Sequence, residues 1–190
     1  MPPSRPRTRL TPDVRRAQII EVATRLIAAA GFNTFTMSEL AKEAGLSRAG
    51  VEHHFPSRED VLVAVLRHRD EVDEAAVTQS FPAPPHDRET TRALLAALVR
   101  RNAGQREIVR LYTILGAEAL DPGHPAHDYF AERFVYAREL IASSTREWAE
   151  DPEMLAVELL GRMDGLQLQW LRDPTLDLEE LWARAEDLLT

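Results

Sequence analysis

From Thr11 onward, apolar residues recur every three or four positions, and no stretch alternates apolar with polar residues in a Val-, Ile- and Thr-rich run. That period buries side chains along helix faces, not across a pleated sheet. The helix boundaries are legible. Thr11-Pro12-Asp13 supplies a hydroxyl N-cap, a proline at the first helical position and an acid in the first turn. Ile19, Ala23, Leu26, Ile27 and Ala30 then make one apolar stripe, which Gly31 ends because glycine tolerates positive φ. Thr36-Met37-Ser38-Glu39 spells a capping box, with Met37, Leu40, Ala41 and Ala44 as the inner face of a two-turn helix. Gly45-Leu46-Ser47 interrupts it, and a short helix follows from Arg48 to about Phe55. Pro56-Ser57 breaks that helix and caps a long fourth one over roughly 58–79, with Asp60 at the box position. The proline-rich SFPAPPHD at 80–87 is a linker or loop. Further helices are expected over about 88–102, 105–120, 125–149, 153–172 and 177–189, punctuated by Asp121-Pro122-Gly123, Asp151-Pro152 and Asp173-Pro174. The expected fold is therefore all-α, about nine helices, without an internal repeat.

With 44% apolar residues, the 190-residue chain can build a sizeable core. It has no cysteine, which excludes disulfides and thiolate zinc sites. No signal peptide is evident, and apolar runs such as ALLAALV at 93–99 are too short to span a bilayer. A cytoplasmic protein with no membrane partner is expected. The net charge of −8 argues at first against a nucleic-acid partner, but its distribution reverses that reading. Residues 1–60 carry nine Arg or Lys against seven Asp or Glu, whereas 61–190 carry fourteen against twenty-four. A basic end on an acidic body lets one end approach phosphates while the rest is repelled. The first ten residues, rich in Pro and Arg, read as a disordered arm.

Residues 36–55, TMSELAKEAGLSRAGVEHHF, carry the functional signal. A helix-turn-helix needs a small residue where its helices meet, a glycine in the turn and an apolar residue inside the second helix. Ala41, Gly45 and Val51 stand at that spacing. Other helical hairpins share part of the pattern, so two further function classes stay open: a helical interaction module without DNA binding and a helical-bundle enzyme. Against the enzyme, there is no nucleophile motif, Glu-x-x-His pair or phosphate-binding glycine loop. No cofactor is implied. His124-Pro125-Ala126-His127-Asp128 reads as a loop and helix cap, and the neighbours His53 and His54 cannot face one metal from a helix.

The segment from about residue 12 to 68 resembles the TetR (tetracycline-repressor) family of bacterial regulators. The resemblance lies in Ala-Ala-Gly-Phe at 29–32, Thr36, Leu40-Ala41, Ala44-Gly45, Ser47, Val51-Glu52-His53-His54-Phe55 and Ser57-Arg58-Glu59. It implies a helix-turn-helix domain over 11–57, joined by the long fourth helix to a ligand-binding and dimerisation domain over 58–190. The implied function is a regulator, usually a repressor, released from a double-stranded DNA operator by a small molecule. Carried over by position, Thr36 and Ser47 would hold phosphates, while Arg48, Ala49, Gly50, Glu52 and His53 face the major groove. His54 and Arg58 would lie against the backbone, with Val51 and Phe55 in the core. Glu52 departs from the family's usual tyrosine; its carboxylate either accepts from a cytosine amino group or points away. Arg5, Arg7 and Arg9 are arm contacts for a minor groove.

For the second half the resemblance is looser. It suggests pocket walls at Tyr112, Leu115, Glu118, Phe130, Phe134, Met163, Gln167 and Trp170 around an unidentified ligand. It also suggests a homodimer through the last two helices, using Leu155, Leu159, Leu160, Met163, Leu166 and Trp170 with Leu178, Leu181, Trp182, Ala185 and Leu188.

Overall fold

The computed structural model describes residues 11–81, 83 and 85–185. The arm with Arg5, Arg7 and Arg9, and Leu188 at the other end, lie outside the described residues. Among those described there are nine α-helices and one 3-10 turn, Phe32–Thr34, and no strand. The helices are α1 (Pro12–Ala30), α2 (Met37–Glu43), α3 (Arg48–Glu52), α4 (Arg58–Ser80), α5 (Arg88–Ala103), α6 (Arg106–Glu118), α7 (His127–Thr145), α8 (Pro152–Arg172) and α9 (Leu178–Ala185). None of the described helices is long and apolar enough to cross a membrane.

The chain forms two compact units that divide between His68 and Arg69, inside α4 and not at its start. The reason is visible in α4 itself. Its first turns bury Val61, Leu62, Ala64, Val65 and Leu66, so they complete the first unit's core. From Arg69 onward the helix is polar.

In the first unit, the Thr11 hydroxyl accepts from the Val14 amide and Gly31 ends α1 at φ 82°. Ile19, Ala23 and Ile27 are buried as expected, together with Ile20 and Val22. Leu26 is only half-buried and Ala30 is exposed, because the stripe turns outward in the last turn before Gly31. Ser57 and Asp60 form the reciprocal box at the head of α4, each side group bonded to the other's amide at 3.0 Å.

In the second unit, α7 packs on α8, α5 and α8 pack on α9, and α6 on α8. The Asp87–Thr90 box opens α5 and Asp151 caps α8. Arg106 donates to the Trp170 and Leu171 carbonyls at 2.6 and 3.2 Å and lies over the Trp170 ring, closing the C-terminal end of α8 with a cation. The His127 ring bonds the Ala119 carbonyl at 2.8 Å, and the His124 ring accepts from the Ala126 amide, so both histidines tie the loop before α7.

Most of the apolar residues expected at an interface on the last two helices pack within the unit itself. Leu159, Met163 and Trp170 of α8 and Leu178 and Trp182 of α9 belong to the unit's own core, with Leu95, Val99 and Ile141. Leu155, Leu160, Leu166 and Leu181 are partly buried against the same core. The broad stripes seen in sequence are inward faces. The face of α8 left outward carries Met154 and Val157, and Gly161 and Gly165 would meet nothing within 4 Å if given a Cβ.

Candidate functional site

The first candidate site is built on the α2–turn–α3 segment. The Thr36 hydroxyl accepts from the Glu39 amide at 3.2 Å, which makes the hydroxyl half of the expected box. Ala41 is buried where α2 meets α3. Gly45 takes φ 66°, and the Leu46 and Gly45 amides donate back to the Ala41 and Lys42 carbonyls at 2.9 and 3.1 Å. This paired closure needs a left-handed residue, which is why a glycine sits in the turn. Ser47 then caps α3, accepting from the Gly50 amide at 3.1 Å.

Val51 is fully buried and Phe55 nearly so, and these two anchors fix which side of α3 faces out. Ser47, Arg48, Ala49 and His53 are exposed; Gly50, Glu52, His54 and Arg58 are partly so. The helix ends at Glu52, earlier than expected, and His53–Phe55 turn away from it. An open depression of about 470 Å³ brings Thr36, Arg48, Glu52 and Arg58 together with Ser38 and Ser57. Glu52 does not stand alone: its Oε1 accepts from Arg48 Nε at 2.7 Å, one turn along the helix. This pair is the feature sequence reasoning missed, although the i,i+4 spacing was there to read.

Two cations brace the surrounding core. Arg16 lies 4.2 Å over the Phe55 ring and donates to the His54 carbonyl, while Arg58 lies 4.4 Å over the Phe32 ring. The His54 imidazole is held below its ordinary pKa, first by desolvation and then by His53, Arg16 and Arg15.

The second candidate site is a cavity of about 470 Å³ within the second unit. Its apolar walls include Val77 and Phe81, Leu94 and Leu98 of α5, Leu140 and Ile141 of α7, and Leu160 of α8. Its polar wall is the far half of α4. There Asp70 pairs with Arg133 and accepts from the Tyr129 hydroxyl; Asp73 pairs with Arg69 at 2.6 Å and with Arg101; Glu74 accepts from Tyr136 at 3.3 Å. Burial raises the phenol pKa of both Tyr112 and Tyr129, whose hydroxyls lie 3.2 Å apart.

Of the wall residues expected from sequence, Met163 lines this cavity. Tyr112 and Gln167 line a smaller neighbouring space. Leu115, Phe130 and Trp170 are buried in packing. Glu118 and Phe134 are exposed, with the Glu118 carboxylate 3.9 Å from the His124 ring. On α7 the cavity uses Arg133, Tyr136, Ala137 and Leu140, a face about one residue around the helix from Phe130 and Phe134.

Residues 19–65 match the family model described as bacterial regulatory proteins, tetR family. Over 182 residues the chain is 29% identical to the HTH-type transcriptional regulator BetI of Rhizobium meliloti, covering 92% of this chain and 87% of that protein. Among solved structures, a transcriptional regulator from Saccharomonospora viridis in complex with choline superposes with TM-score 0.74 at 21% identity, over 93% of this chain and 96% of that one. FadR from Bacillus subtilis in complex with stearoyl-CoA gives TM-score 0.73 at 18% identity, over 91% and 96%. Residues 19–65 thus carry the DNA-binding region of the tetR family of bacterial regulatory proteins, and the whole length shares the all-helical fold of transcriptional regulators of that family.

Proposed function

We propose that this chain is a TetR-family transcriptional regulator acting in the cytoplasm as a homodimeric repressor, holding a double-stranded DNA operator through its first unit and releasing it when a small molecule fills the cavity of the second. The observation that carries the DNA half is the anchoring of α3. Val51 and Phe55 fix it from inside, and Ser47, Arg48, Ala49 and His53 are left exposed. The small Ala49 and Gly50 permit close approach to a groove floor, and a major groove admits one helix. Thr36, Ser47, His54 and Arg58 flank that face with hydroxyl, imidazole and guanidinium groups suited to phosphate oxygens. Arg5, Arg7 and Arg9 add charge for a neighbouring minor groove. Arg48 and Glu52 enter as a pair, so a base contact by either one trades against their mutual bond.

One such head reads only a few base pairs, so two copies on half-sites are needed, and the outward face of α8 is available for that pairing. The choline and stearoyl-CoA found in similar structures differ in charge and size. In this chain the candidate for such a small molecule is the 470 Å³ cavity of the second unit, whose polar wall is α4. Since α4 also completes the first unit's core, a ligand that favours one arrangement of its far half biases the heads, and DNA weakens ligand binding by the same factor.

The test is a gel shift on the DNA upstream of the protein's own gene. Retardation by the wild-type chain, lost in Arg48→Ala with Ala49→Asp, supports the reading. Equal retardation by that double variant removes α3 from DNA binding.

A further inference from the structure

The cavity adjoins a second, smaller space of about 60 Å³, because Asp73, Asn102 and Arg133 line both. The smaller space is also bordered by Arg69, Tyr112 and Gln167. Its chemistry is the reverse of the large cavity's apolar walls. Three arginines, Arg69, Arg101 and Arg133, meet two aspartates, and Asp73 alone serves both Arg69 and Arg101. The third acid of the α4 wall, Glu74, is exposed and bonded to Tyr136, not to an arginine. A further acid, Asp164, faces Arg133, so the arginines of this cluster are largely matched in charge, and what sets the small space apart is hydrogen bonding.

Arg69 is the cation there with a buried donor left over. Its side chain is 11% exposed, and its buried Nε has no hydrogen-bond partner among the described residues. Burial pushes its guanidinium down from the usual range, with Asp73 pulling it back and Arg101 pushing it further down. A buried N–H without an acceptor is costly, and a ligand oxygen would remove that cost. The half-buried carboxamides of Asn102 and Gln167 border the same space and offer further donors.

We propose that the effector is an amphipathic carboxylate, its anionic head held by Arg69 and Arg133 in the small space and its apolar body lying in the large cavity. This rests on reading the cavity as the effector site. The small space has room for a few water-sized groups, which suits the two oxygens of a carboxylate. Guanidinium groups match that planar head in geometry and charge. The remaining volume is apolar, so chain length sets affinity.

The experiment titrates the full-length protein by calorimetry with straight-chain carboxylates from hexanoate to tetradecanoate. Alcohols and trimethylammonium salts of matching length are the comparison series. Release of the DNA upstream of its own gene is followed in parallel by anisotropy. Carboxylates should bind at least about tenfold tighter than both other series. Arg69→Gln should weaken them about ten- to a hundredfold while leaving alcohol binding unchanged, which also shows an intact cavity. Gln167→Leu, which removes no charge, should weaken them less. Ammonium ligands or alcohols that match the carboxylates, carboxylate binding indifferent to Arg69→Gln, or no binding in any series overturns the proposal. If the ammonium series alone binds and releases DNA, the carboxylate is wrong and the effector site stands. If carboxylates bind through Arg69 and DNA stays bound, the head-group assignment stands and the effector reading fails.

Discussion

The two units carry their chemistry in opposite ways. In the first, every group on the candidate major-groove face comes from residues 36–58, ordered by caps, one left-handed glycine and two buried anchors. In the second, the cavity wall is collected from four helices, and its charges are fixed by pairs such as Asp70–Arg133, more than sixty residues apart. A face built from local geometry can be changed one residue at a time. A wall built from long-range pairs shifts several helices together, which suits a switch.

The largest effect that separates the two units is expected of Phe55→Ala. Phe55 is 1% exposed beneath α3, so the loss should be about 3–5 kcal/mol and DNA binding should disappear. Trp148, Trp170 and Trp182 all lie in the second unit, so their emission at low urea should be unchanged. Emission that collapses together with the helix signal would mean the units do not divide as described. Next in size, Asp70→Asn leaves Arg133 and Tyr129 without their acceptor charge and should cost about 1–2 kcal/mol, allowing for the pair's partial exposure. Here tryptophan emission should report an earlier thermal midpoint. Gly45→Ala should cost about 1 kcal/mol, read from urea curves. Its Cβ meets nothing within 4 Å, so the penalty is the backbone's alone.

The smallest effect is with pH. His54 is already biased toward its neutral form in the free protein. Its folded pKa lies below the unfolded one, so any stability it contributes is present above the unfolded value and lost as pH falls. A nearby phosphate would raise that pKa, so DNA affinity should climb by less than about tenfold as pH drops through about 6.5. A His54→Gln chain should bind DNA without that slope, and an unchanged slope would take His54 off the backbone.

The contrast also explains what could be read in advance. Thr11, Gly31, Gly45, Ser57 and Asp60 each act within a few residues of themselves, so their roles stood in the sequence and hold in the structure. Val51 and Phe55 followed from spacing and are buried. The cavity was not legible, because helical period tells which residues turn inward but not which neighbour they meet. Phe130 and Trp170 look like pocket walls on that criterion and are packing. Asp70, Asp73 and Arg133 look like solvated charge and form the wall. The stripes on α8 and α9 follow the same rule: the inward face was visible, its partner was not.

The proposed function stands or falls on whether the exposed side of α3 reads base pairs. Sequencing the duplexes retained from a random pool by the wild-type and Arg48→Ala chains tests it most directly. The expected outcome is an inverted repeat for wild type, with half-sites about one helical turn or a multiple of it apart. Arg48→Ala should relax preference at one position in each half and leave the others as they were. A pool with no enriched sequence, or identical preferences for both chains, would contradict it.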